Sequence, residues 1–96
     1  MRPSEALSLH RALVLALAYQ HRAVNVRVFG SVLAGTDTER SDLDLLVDAQ
    51  SGATLFDLGE LQLRLEALLG VPVHVVTPGD LPDQIRDHIQ ATARPL

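Results

Sequence analysis

Asp42 and Asp44 stand two residues apart in the run Ser-Asp-Leu-Asp-Leu-Leu-Val-Asp. In an extended strand, side chains i and i+2 point to the same face. The pattern therefore predicts two carboxylates side by side, with Leu43 and Leu45 turned the other way into a core. Two like charges that close repel each other unless a cation intervenes. Paired hard oxygens on a rigid strand suit Mg²⁺ or Mn²⁺, and such an ion can in turn hold nucleotide phosphates. Gly30-Ser31 is the second candidate. It follows a β-branched run and opens a helical turn, where backbone N–H groups and a hydroxyl can cradle a phosphate that glycine lets approach closely. Taken singly, each has a plain reading: a solvent-facing strand edge and a strand-ending turn.

The charge balance points to the same stretch. Among 96 residues the formal net charge is -4, from 12 acids and 8 bases. Between Asp37 and Asp48 lie five acids (Asp37, Glu39, Asp42, Asp44, Asp48) and one base, Arg40, so this segment carries the whole net charge. Asp37, Glu39 and Asp48 read as solvated flankers of the pair. All the bases are arginine, which excludes a P-loop lysine and Schiff-base chemistry. Hydrophobic residues make up 47%, so a packed core is expected, in one domain over 1–96. The absence of cysteine excludes disulfides and thiolate metal sites and suits a reducing cytoplasm. The longest apolar run, Ala12 to Ala18, is far too short to span a bilayer, and the N-terminus lacks a signal-peptide pattern. Without a basic tract, direct nucleic-acid binding is not expected.

Elements able to position these residues are legible in the pattern. Ser4 is read as the N-cap of a Leu/Ala-rich helix ending near His21. Val24 to Phe29 alternates with period two and predicts a strand, Gly30 to Gly35 a turn, and Leu43 to Asp48 a second strand. Thr54 and Asp57 resemble a capping box. Leu55, Leu58, Leu61, Leu65 and Leu68 follow on one helical face, and Gly70 is a natural stop. Val71 to Val76 predicts a third strand and Pro82 to Ala93 a last helix. The order helix-strand-strand-helix-strand-helix implies a small mixed sheet backed by helices, an α+β or α/β fold.

Gly30-Ser31, ten intervening residues, then Asp42-x-Asp44 resembles the signature of the DNA-polymerase-β-like nucleotidyltransferase superfamily. The similarity is greatest to its minimal form, the MNT domains that pair with HEPN proteins, and it covers nearly the whole chain. The resemblance implies two metal ions, Mg²⁺ or Mn²⁺, held by Asp42 and Asp44, and β/γ-phosphates of ATP contacted by Gly30 and Ser31. It further implies a cytoplasmic antitoxin that transfers AMP to a tyrosine of a HEPN ribonuclease toxin, as part of a hetero-oligomer with no membrane or nucleic-acid partner of its own.

Two positions depart from that family. His74, in Val73-His74-Val75-Val76, stands where relatives carry a third carboxylate. An imidazole there is one negative charge short and offers a nitrogen that Mg²⁺ disfavours. It could act as a base, favour Mn²⁺ or Zn²⁺, or have no catalytic part. Ala34 stands where many relatives have arginine; Arg27 or Arg40 could substitute by proximity, or the apolar loop could meet a partner. Catalysis and neutralisation by contact alone both remain open from the sequence. The other candidates are weaker. His10, His21 and His88 lack zinc spacing and are expected to face solvent, Tyr19 is expected to pack, and Ser31 lacks the surroundings of a serine nucleophile.

Overall fold

The computed structural model describes Met1–Leu96. The chain folds as α1 (Pro3–Gln20), β1 (Ala23–Phe29), α2 (Gly30–Ala34), β2 (Leu43–Ala49), α3 (Leu55–Leu69), β3 (Val73–Val76), a 3-10 turn (Pro78–Asp80), α4 (Asp83–Thr92) and β4 (Arg94–Pro95). The sheet order is β3-β2-β1-β4. β1 runs antiparallel to β2 and β4, whereas β2 and β3 are parallel and are joined through α3. The mixed sheet and its helices agree with the expected architecture.

The core forms between the sheet and the pair α1 and α3, which pack on each other and on β1 and β3. Leu43, Leu45 and Val47 alternate along β2 and are fully buried against Val14, Leu61, Leu65 and Val73. This burial fixes the register of β2, since a slip of one residue would turn these side chains outward and the aspartates inward. α3 begins as the sequence predicts: Thr54 Oγ1 accepts from the Asp57 N–H at 3.2 Å, and Asp57 accepts in return from the Thr54 N–H at 2.9 Å. It ends at Gly70 with φ 69°.

Several expectations are corrected. Ser4 is not the N-cap of α1; the helix begins at Pro3, with Arg2 at the cap position. Proline at the first helical position costs nothing because its missing N–H would have had no helical partner. The Ser4 N–H instead donates to Asp37 Oδ2 at 2.9 Å, and Asp37 is buried rather than a solvated flanker. Asp48 is engaged as well, accepting from Arg27 at 2.7 Å and from Asn25 at 2.9 Å, which leaves Glu39 as an exposed flanker. Leu55 lies outside the buried stripe of α3, which runs through Leu61, Leu65 and Leu69. Tyr19 does not pack but is 69% exposed, whereas His21 is tucked in, with its Nδ1 2.8 Å from the Leu17 carbonyl. β4 is an addition at the sheet edge, too short to leave a periodic signal.

The Ser4 N–H holds the Asp37 carboxyl below the usual carboxylate range. A depressed folded value means stability that is present above about pH 4 and lost as the pH falls through the folded value. Asp37→Ala is expected to cost about 1–2 kcal/mol at pH 7, the worth of a helix cap. The gap from wild type should narrow in thermal unfolding as the pH falls below about 4 and through the depressed folded value. A gap that stays constant with pH would show that the charge on Asp37 contributes nothing.

Candidate active site

The site forms at one end of the sheet, where the C-terminal end of β1 meets the start of β2. Phe29, the last residue of β1, pairs with Asp44. The chain then turns into α2 at Gly30, whose φ is +73°, a conformation side chains rarely adopt. A Cβ at Gly30 would collide with Asp44 Oδ2. The glycine is thus required twice, once by the backbone and once by the carboxylate lying against it. The expected helical turn is present, and Ser31 sits partly exposed in it. The first N–H groups of this turn have no partner within it.

Asp42 immediately precedes β2 and Asp44 is the second residue of the strand. In the parallel pairing of β2 and β3, Asp44 lies opposite His74. His74 Nε2 is 2.8 Å from Asp42 Oδ2, and both side chains are about half exposed. His74 therefore contacts Asp42 and lies opposite Asp44 in the sheet. Burial pushes the Asp44 carboxyl above the usual range; the nearby His74 opposes that rise and the Asp42 charge adds to it. Carboxylates are donors that suit a hard divalent cation, and the Asp42 charge acts on Asp44 in the direction that a cation would relieve. No three side chains already converge as a coordination set, however, so Asp44 would have to join the linked pair as a cation arrives.

The substitutes for a loop arginine fall away in part. Arg27 is committed to Asp48 and to the Asn25 carbonyl. Arg40 is exposed in the loop before β2. The apolar segment instead lines an open cleft of about 490 Å³, in which Leu33 and Ala34 of α2 face His88, Ile89 and Thr92 of α4 across Gly30. Sequence spacing gave no sign that α4 would line a cleft with this turn.

Similarity to known proteins bears on this geometry. The family model described as nucleotidyltransferase domain matches residues 11–94. A protein of Methanocaldococcus jannaschii, MJ0435, provisionally named a protein adenylyltransferase, is 32% identical over 76 residues, covering 79% of this chain and 82% of its own. A solved structure described provisionally as a minimal nucleotidyltransferase is 47% identical with a TM-score of 0.87, over 97% of this chain and 95% of that one. A chain of the MntA-HepT toxin-antitoxin structure shares the fold at 17% identity, with a TM-score of 0.66 over 91% of this chain and 68% of that one. By the span of the family match and the closeness of these relatives, the chain belongs to the nucleotidyltransferase domain family, in its minimal form.

Proposed function

We propose that this protein is an antitoxin that transfers AMP from ATP to a tyrosine hydroxyl of a HEPN-type toxin. The observation that supports the reading is the close approach of Gly30 to Asp44, which lays the glycine-serine turn directly against a carboxylate. Phosphoryl transfer needs mainly positioning and charge neutralisation. Asp42 and Asp44 would hold the divalent metal, Mg²⁺ or Mn²⁺, which supplies the neutralisation. Gly30 and Ser31 orient the β/γ-phosphates through backbone N–H groups and the Ser31 hydroxyl. The half-exposed Asp42 and His74 leave the site open, which suits an acceptor carried on a macromolecule better than an engulfed metabolite. A protein partner also suits the outer faces of α1 and α3, where Leu9, Leu13, Tyr19, Phe56 and Leu63 are all more than half exposed.

The test is co-expression with a HEPN-type protein that co-purifies with the chain, followed by intact-mass measurement of that partner. One or more AMP additions that require ATP and divalent metal are expected. An unmodified partner with both Mg²⁺ and Mn²⁺ supplied would sink the reading. One observation favours a second reading, neutralisation by contact alone: His74 already occupies an oxygen of Asp42. In that case the partner is silenced without modification, and loss of both aspartates leaves silencing intact.

A further inference from the structure

β3 forms one edge of the sheet and pairs with β2 on its inner side only. Backbone groups of successive strand residues point to alternate sides. The Pro72 carbonyl accepts from the Leu43 N–H of β2, so the N–H groups of Val73, Val75 and Thr77 face outward. Outward N–H groups on an edge are a template on which another strand can add. Here each of the three already has a side-chain acceptor. The Val73 N–H donates to Glu66 Oε2 at 3.1 Å and the Val75 N–H to Gln62 Oε1 at 3.2 Å. The Thr77 N–H donates to Asp80 Oδ2 at 2.9 Å, within the turn that follows the strand. Gln62 and Glu66 are four residues apart on α3, a rise of about 6 Å, and alternate strand residues are about 6.6 Å apart. That match lets α3, packed on β3, supply one oxygen to each outward amide of the strand.

We propose that Gln62 and Glu66 close the β3 edge to strand addition by a second copy of this chain. The copy is the partner excluded because it carries the same edge, and two identical edges can pair antiparallel about a twofold axis. The strand Val73–Val76 is three-quarters valine, a residue type that favours sheet pairing. An arriving strand must offer carbonyls to the outward N–H groups of Val73 and Val75, and both are taken by oxygens of the chain's own helix. The opposite edge of the sheet is closed by other means. β4 is only two residues long and one of them is proline, and β1 has a register shift between Val24 and Arg27. Very short edge strands, proline and bulges all disfavour further pairing. With both edges closed, association is directed to the helical faces and away from the sheet.

The experiment uses the full chain, with amide hydrogen exchange and sedimentation as readouts. In dilute solution Glu66→Ala should speed exchange at Val73 by about five- to tenfold, and Gln62→Ala should do the same at Val75, the scale of one lost hydrogen bond. The amides of His74 and Val76, which face β2, should be unchanged in both and report that the sheet is intact. In Gln62→Ala/Glu66→Ala the average mass should rise with concentration more steeply than in wild type. Protection of Val73 and Val75 should return as it does, because the added strand takes over their hydrogen bonds. Gln62→Glu/Glu66→Gln keeps an acceptor oxygen at each position and should behave as wild type. Both side chains are only partly buried, so the variants are expected to fold. Unchanged exchange at Val73 and Val75 in the alanine variants overturns the inference. So does a double alanine variant that associates no more than wild type, or one that associates without regaining protection at these two amides.

Discussion

Asp42→Asn/Asp44→Asn is expected to keep the fold and to lose AMP transfer by about 10²-fold or more, the scale seen when a group stabilising the transition-state charge is removed. The fold should survive because neither side chain belongs to the core; Leu43 and Leu45, which do, are unchanged. Stability at neutral pH should hold or rise, since the substitution removes two neighbouring like charges, one of them partly withdrawn from water. The assay is transfer of labelled AMP to the co-purified partner, with thermal unfolding as the control. The same variant separates the two functional readings. If silencing of the toxin disappears while the complex remains intact, chemistry does the silencing. If silencing persists at wild-type level, contact does it, and the proposal of an adenylyltransferase fails.

Gly30→Ala should be nearly as damaging to activity by a different route. Gly30 and Gly35 have almost the same backbone conformation, φ +73° and +74°, so alanine at either should cost about 1–3 kcal/mol in strain. Their surroundings differ. A Cβ at Gly35 meets nothing within 4 Å, whereas at Gly30 it meets the Asp44 carboxylate. Asp44 is short and can turn aside, so the collision spends itself on the position of the carboxylate more than on the fold. Misplacing a reacting group by about 1 Å can cost about 10²-fold in rate. Gly30→Ala should therefore lose AMP transfer by that factor, while Gly35→Ala loses a comparable amount of stability and keeps most of its activity. Equal activity in the two variants would mean that the approach of Gly30 to Asp44 carries no functional weight.

Much of this site was legible because short-range periodicity and residue chemistry define it. The alternation of Leu43, Asp44 and Leu45 dictates which side chains enter the core, and burial of the leucines then holds the aspartates outside. The helix start at Thr54 and its stop at Gly70 follow from local hydrogen-bonding and backbone rules, and both are found. Local rules failed where the decisive partner is distant in the chain. Ser4 looked like a cap because serine suits that position, but the acceptor that satisfies this helix end comes from Asp37, 33 residues away. The same long-range contact turned an apparent surface acid into a buried one. Leu55 matched the helical period yet is exposed in the first turn of α3, so the buried stripe begins later along the helix than the period suggests.

The sequence by itself determined the residues with chemical capacity: two carboxylates two positions apart, a glycine-serine turn after a strand, and an imidazole on the third strand. Each is a matter of residue type and strand or turn periodicity, which are local properties. Only the tertiary structure decided how they meet. Antiparallel pairing of β1 with β2 laid Gly30 against Asp44, and parallel pairing of β2 with β3 brought His74 across to within hydrogen-bonding distance of Asp42. Those registers are set by burial of Leu43, Leu45, Val47 and Val73 against helices remote in sequence, a cooperative packing that no short window contains.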